Sequence, residues 1–256
     1  MNNYNDRISL VKDLCDYLDV DESFITHGID FESNNALHES SRSVPRFWKW
    51  MYGHREGTPD EYKYFYTICP FYLFDLANFT SQLNMSKANS NKYIKGKCLD
   101  FGCGIGTVAI EMLKYENITQ VDAVDVSIVS TDFLKYRIKK HNLKINVIEP
   151  FDSITNKRSS HKSLNEKYDF IYVRDVLEHA IDRVEIMQTL IKNISKDGII
   201  CEASPIFNYV DAVGKENIKL KEYDIWNVLQ DNGFKLIESE WTGGSSDGYT
   251  NIWKKI

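Results

Sequence analysis

Three glycines at alternate positions, Gly102, Gly104 and Gly106, stand where a short β-rich run (97–101) gives way to a helical pattern (105–115). Glycine takes backbone conformations closed to other residues and lets a ligand approach the main chain, while the N–H groups opening the next helix favour an electron-rich group. Strand, glycine turn and helix in that order form a βα unit, and the chain repeats the pattern. Short β-rich runs at 120–126, 145–149, 168–173 and 198–204 alternate with helical ones at 128–141 and 182–193, the signature of a parallel sheet with crossover helices. The amphipathic run 222–231 ends at the helix-stop pair Asn232-Gly233. Runs at 234–241 and 250–255 then flank the turn-forming stretch Thr242-Gly243-Gly244-Ser245-Ser246-Asp247-Gly248. The expected fold class is α/β, a mostly parallel sheet ending in an antiparallel hairpin.

The first ninety residues differ in character. Val11, Leu14, Cys15 and Leu18 fall at i, i+3, i+4 and i+7, which predicts an amphipathic helix. A polar, aperiodic stretch from Asp30 to Ser43 reads as a loop. Twelve of the thirty-three aromatic residues then lie between Phe47 and Phe79, where Phe65, Cys69, Tyr72, Leu76 and Phe79 keep helical spacing and predict an aromatic-faced helix. The polar run Ser86-Lys87-Ala88-Asn89-Ser90-Asn91 is the expected linker. The chain therefore divides into a helical, aromatic-rich extension (1–90) and an α/β domain (91–256).

Charge and cysteine usage narrow the function. Residues 1–90 carry thirteen acidic and eight basic side chains, so most of the net charge of −6 sits there, which argues against a nucleic-acid partner. The five cysteines form no C-x-x-C pair, and the reading calls for buried thiols and no metal. No apolar run approaches the ~20 residues of a membrane span, and the opening residues lack a signal-peptide layout, so the expected location is the cytoplasm, without membrane attachment.

The chemistry collects at the ends of the strands. Asp125, followed by Val126, closes the second run about 20 residues beyond the glycines, where a carboxylate accepts both hydroxyls of a ribose. The third run ends in Glu149-Pro150-Phe151-Asp152-Ser153, and the fourth leads into Arg174-Asp175-Val176-Leu177-Glu178-His179. All these ends converge on the carboxyl edge of the sheet, where open α/β folds bind ligands.

On these motifs residues 97–255 resemble the class I S-adenosylmethionine (SAM)-dependent methyltransferases, the seven-stranded Rossmann-like family. Leu99-Asp100-Phe101-Gly102-Cys103-Gly104-Ile105-Gly106 matches the family's first motif, with Phe101 where an aliphatic residue is commoner. Asp125 matches its acidic ribose ligand, Asp152 its adenine-side Asp, and Asp175-Val176-Leu177-Glu178-His179 its segment after the fourth strand in small-molecule members. The resemblance implies an enzyme that binds SAM, releases S-adenosylhomocysteine (SAH) and methylates a small molecule. It implies a cofactor site drawn from Asp100, Gly102, Cys103, Gly104, Gly106, Asp125, Val126, Asp152, Ser153 and Arg174, the last either a surface charge or a cofactor ligand. It also implies that residues 1–90 form a helical lid over the acceptor pocket, with Trp48, Tyr64, Tyr66 and Glu178 as acceptor-binding candidates. His179 is the candidate base, since an imidazole with an unperturbed pKa of ~6.5 suits proton removal near neutrality. The methylated atom (oxygen, nitrogen, carbon or sulfur) and the oligomeric state, a homodimer included, stay open.

Two other readings stand beside this one. Gly104-Ile105-Gly106-Thr107-Val108-Ala109 fits the relaxed dinucleotide fingerprint G-x-G-x-x-A of a nicotinamide oxidoreductase, against which the closing hairpin speaks. A SAM-binding partner subunit without chemistry of its own would carry the same cofactor residues.

Overall fold

A computed structural model of the chain describes residues 6–27, 72–80, 89–152, 157–177, 180, 182–205, 222–241 and 248–256. In chain order its helices are α1 (Asp6–Leu18), α2 (Tyr72–Thr80), α3 (Thr107–Met112), α4 (Ile128–His141), α5 (Arg183–Asn193) and α6 (Glu222–Asp231). Its strands are β1 (Gly96–Phe101), β2 (Ile118–Val124), β3 (Ile145–Val147), β4 (Phe151–Asp152), β5 (Lys157–Arg158), β6 (Tyr168–Arg174), β7 (Ile194–Pro205), β8 (Phe234–Trp241) and β9 (Gly248–Lys255). The chain separates into two units, Met1–Asn84 with Ser127–Leu143, and Met85–Val126 with Lys144–Ile256.

The second unit carries a seven-stranded sheet in the order β3-β2-β1-β6-β7-β9-β8. The first five strands run parallel, and β9 lies antiparallel between β7 and β8. The α/β class and the closing hairpin are thus as expected, with the last strand inserted inside the edge. β1, β2 and β6 bury consecutive residues over their carboxyl-terminal halves, as strands covered on both faces do. On one face Leu99, Ile171, Ile200 and Trp253 stand in register and pack with Met187, Leu190 and Leu229 of α5 and α6. Trp226 leans on Trp253 with ring centroids 6.0 Å apart. Gly233 ends α6 at a φ of +79°, the left-handed stop that Asn232-Gly233 predicts.

Several boundaries differ from the sequence expectation for local reasons. α3 covers 107–112 rather than 105–115, because Gly106 before it is left-handed and the chain after Met112 tightens into turns in which Lys114 and Tyr115 donate to carbonyls three residues back. β2 stops at Val124 rather than 126, since the Val124 carbonyl is taken by the N–H groups of Gly102 and Cys103. β7 begins at Ile194, paired with Tyr168, before Ser195-Lys196-Asp197-Gly198 breaks the register and pairing resumes at Ile199. The two-residue antiparallel ribbon of β4 and β5 was not foreseen, and Asn89–Tyr93 is a 3-10 helix where a linker was expected.

The first unit is helical where described. α4 has the predicted bounds: the Ser127 side chain accepts from the Ser130 N–H at 3.2 Å, Asn142 closes the helix at φ +51°, and Lys139, Lys140 and His141 fill its last turn. α1 buries Leu10, Val11 and Leu14. It also buries Asp13, which is 1% exposed and receives Arg137 Nε at 3.0 Å, His141 Nε2 at 2.8 Å and Lys140 Nζ at 2.9 Å from α4. Burial opposes ionisation of Asp13, but Lys140, His141 and Arg137 outweigh it and hold the carboxyl below its ordinary range. Tyr17 packs against Phe133 and Tyr136 beside this cluster. α2 turns Leu73, Phe74 and Ala77 inward, while Tyr72 and Leu76 of the predicted face are half-buried; Phe65 and Cys69 lie outside the described residues. Among the described residues no helix is long and apolar enough to cross a membrane.

Candidate functional site

The strand order reverses at β1: the chain leaves it toward β2 and β3, then returns to lay β6 along its other side. At such a switch point the crossover connections part and leave a crevice at the carboxyl ends of the strands. The glycine turn after β1, Asp125 after β2, and Arg174 with Asp175 at the end of β6 are therefore brought to one sheet edge.

The turn is pinned at several points. Gly102, Gly104 and Gly106 have φ of +77°, +50° and +77°. A Cβ built on Gly102 would stand 2.1 Å from Cγ2 of Val176, so the connections after β1 and β6 approach each other closely enough to exclude any side chain there. The N–H groups of Gly102 and Cys103 both donate to the Val124 carbonyl, at 2.8 and 3.1 Å, and the N–H of Gly104 donates to Asp125 Oδ2 at 2.8 Å. Asp125, half-buried, thus bridges the glycine turn and the end of β2.

Asp100 plays a different part. It is 3% exposed, and its Oδ2 accepts the N–H of Ala109 in the first turn of α3 at 2.9 Å, so it holds the helix that follows the turn. Burial pushes its carboxyl up to about 7; the Ala109 N–H opposes this and the charge of Asp125 adds to it. Cys103 is buried, and burial, with the charges of Asp125 and Asp100, pushes its thiol well above the ordinary range, so it contributes a backbone N–H rather than a nucleophile. Val126 is half-buried beside Asp125.

At β6 the backbone takes a sharp step. Asp175 has φ +51°, and its N–H donates to the Ala203 carbonyl of β7 at 2.9 Å. Arg174 Nε reaches Asp175 Oδ2 at 3.3 Å. Burial works against the Arg174 charge, but Tyr172 and Asp175 hold the guanidinium protonated. Arg174 is thus partnered at the edge of the site rather than loose on the surface. Asp152 sits in β4 opposite Lys157. Ser153, Glu178, His179, Trp48, Tyr64 and Tyr66 lie outside the described residues.

Sequence reasoning placed Val176 in the segment after the fourth strand but missed its approach to Gly102, which exists only in three dimensions. It also missed the buried Asp122 of β2, which accepts from Tyr168 Oη at 2.9 Å, Gln120 Nε2 at 2.6 Å and Asn146 Nδ2 at 3.1 Å. A charged residue inside the strand run Gln120-Val121-Asp122-Ala123 was the one available signal. Taken together, the edge holds a half-buried carboxylate beside left-handed glycines, and the N–H groups of Gly102, Cys103 and Gly104 are committed to the Val124 carbonyl and to Asp125.

A protein-family model described as a methyltransferase domain matches residues 72–227. Among solved structures the fold is similar to magnesium protoporphyrin IX methyltransferase from Synechocystis PCC 6803, crystallised with bound SAH (TM-score 0.55, 16% identity, 87% of this chain and 100% of that one). It is also similar to a SAM-dependent methyltransferase from Clostridium acetobutylicum ATCC 824 (TM-score 0.51, 13% identity, 69% of this chain and 90% of that one). Comparison with curated protein sequences returns no match.

Proposed function

Because this chain belongs to the methyltransferase-domain family, matched over residues 72–227, we propose that it moves the methyl group of SAM to a small-molecule acceptor at the carboxyl ends of β1, β2 and β6. The observation that carries this reading is the bridge from Gly104 N–H to Asp125 Oδ2, which sets a carboxylate beside the glycine turn at the switch point of the sheet. These residues fit SAM: a half-buried carboxylate suits ribose hydroxyls, and the acidic groups Asp125 and Asp175 suit a cationic ligand. The nicotinamide reading is not favoured, because β9 lies antiparallel between β7 and β8 where a dinucleotide fold adds a second parallel half.

When bound, SAM supplies a methyl group already activated by its positive sulfonium. The chain's own residues then have mainly to align. Asp125 holds the ribose, the backbone of Gly102, Cys103, Gly104 and Gly106 walls the crevice, and Val126, Asp152, Ser153 and Arg174 complete the cofactor side. An acceptor held in line at about 3 to 3.5 Å gains most of its rate from positioning, and a base is needed only where the acceptor must lose a proton. His179 takes that proton, with Glu178 beside it in sequence. Acceptor choice falls to residues 1–90 and their aromatic side chains, Trp48, Tyr64 and Tyr66 among them, whose faces suit an apolar or cationic molecule. Among the described residues Cys15, Cys98, Cys103 and Cys201 are reduced thiols outside any disulfide, which suits the reducing cytoplasm.

The test is transfer of label from methyl-labelled SAM to a cell extract separated by size. Label entering the low-mass fraction supports the reading. Label entering only protein or nucleic acid, or none transferred at all, contradicts it.

A further inference from the structure

We propose that His161, Asp182 and Glu185 form a binding site for a divalent transition-metal ion of the zinc type, built from residues outside the cofactor site. His161 opens a 3-10 turn (His161–Ser163) that packs against the start of α5. Its imidazole is 4% exposed, and Nε2 has no hydrogen-bond partner. A buried ring nitrogen left unpaired is costly, so something is expected to meet it. It faces Glu185 Oε1 at 3.6 Å, while Nδ1 lies 3.8 Å from Asp182 Oδ2.

That 3.6 Å separation exceeds the 2.7–3.2 Å range of a hydrogen bond. It fits two donors sharing one tetrahedral ion, since ligand atoms ~2.1 Å from the metal stand roughly 3.4 Å apart. One ligand atom from each of His161, Asp182 and Glu185 lies within 4.8 Å of the others. Asp182 occupies the N-cap position of α5, where an aspartate ordinarily accepts a backbone N–H, yet its side chain makes no capping hydrogen bond. The other ring nitrogen of His161, Nδ1, lies 3.3 Å from the Ser159 hydroxyl, and in the tautomer in which Nδ1–H donates there the Nε2 lone pair is left for a metal.

One neutral nitrogen and two carboxylate oxygens make a mixed set that suits zinc and its neighbours, with a coordination place left for water. Lys162 Nζ, 3.5 Å from Glu185 Oε1, is the competing cation; it is half-exposed on a flexible stem and yields to a divalent ion held by three ligands. The bound ion ties the turn at 161–163 to the first turn of α5.

The test is calorimetric titration of the full, chelator-stripped chain with zinc chloride near pH 7.5, repeated for His161→Ala, Asp182→Asn and Glu185→Gln. One site of micromolar or tighter affinity is expected, weakened at least tenfold in Asp182→Asn and Glu185→Gln and lost in His161→Ala. The two carboxamide variants alter half-exposed side chains, so they keep the test decisive where His161→Ala does not fold. SAH affinity, measured in parallel, stays unchanged in all of them and separates this site from the cofactor site. No saturable binding up to about 100 μM zinc, or zinc binding unchanged in Asp182→Asn and Glu185→Gln, overturns the proposal.

Discussion

Replacing Asp100 with Asn removes a titratable group whose folded state holds its proton far more tightly than the unfolded chain does. Burial raises the carboxyl from 3.8 to about 7. As pH rises from about 4, the unfolded chain releases the Asp100 proton while the native protein keeps it, so native stability falls through this window and levels off above about pH 8. The shift of about three units, at ~1.36 kcal/mol each, amounts to roughly 4 kcal/mol in full and about 3 kcal/mol between pH 4.5 and 8. Asparagine keeps an oxygen for the Ala109 N–H and carries no charge to desolvate. Urea unfolding of both proteins at the two pH values isolates this group, because titrations common to both, that of Asp13 included, cancel in the difference. Asp100→Asn should gain about 3 kcal/mol on the wild type from pH 4.5 to 8. Parallel pH profiles, within ~0.5 kcal/mol, would refute the idea that a desolvated carboxylate holds α3.

Gly102→Ala places a Cβ 2.1 Å from Val176 Cγ2 at φ +77° and should cost about 1 to 3 kcal/mol, part of it recovered in Gly102→Ala/Val176→Ala; wild-type urea stability for the single variant would contradict the close approach. Asp13→Ala leaves the buried Arg137 without its carboxylate and should destabilise the helical unit by about 3 to 5 kcal/mol in denaturant unfolding, where a loss under ~1 kcal/mol would mean that the cluster is solvated. His179→Ala should lower kcat roughly 10²- to 10⁴-fold with SAM affinity kept; a drop under about tenfold removes the base and leaves alignment alone.

What the sequence makes legible is whatever is carried by neighbours along the chain. α4 has the expected bounds, and what sets them is local: Ser127, Asn142 and the basic last turn each act within four residues of where they stand. The glycine turn and Asp125 were legible for a similar reason: a βα turn and the next strand end recur at a fixed spacing. Boundaries failed where a distant group decides them. β2 ends early because the Gly102 and Cys103 N–H groups claim the Val124 carbonyl, and no local pattern announces that. Asp13 carries no local sign of burial, because the partners that bury it stand 124 to 128 positions later. Within α2 Leu73, Phe74 and Ala77 are more deeply buried than Tyr72 and Leu76, because Tyr72-Leu73-Phe74 and Leu76-Ala77 are apolar on both sides, leaving periodicity nothing to choose by. At the site, the approach of Val176 to Gly102 carries no local mark; it arises only when β6 is folded beside β1.

The measurement that bears most directly on the central claim is calorimetric titration of the full chain with SAH, wild type against Asp125→Ala. Wild type should bind at micromolar affinity or better. The variant should lose a charged hydrogen bond to the ribose, on the order of 1.5 to 3 kcal/mol, and bind roughly ten- to a hundredfold more weakly. A wild type that takes up no SAH, or a folded Asp125→Ala protein that binds it equally well, would contradict a cofactor site at the ends of β1, β2 and β6.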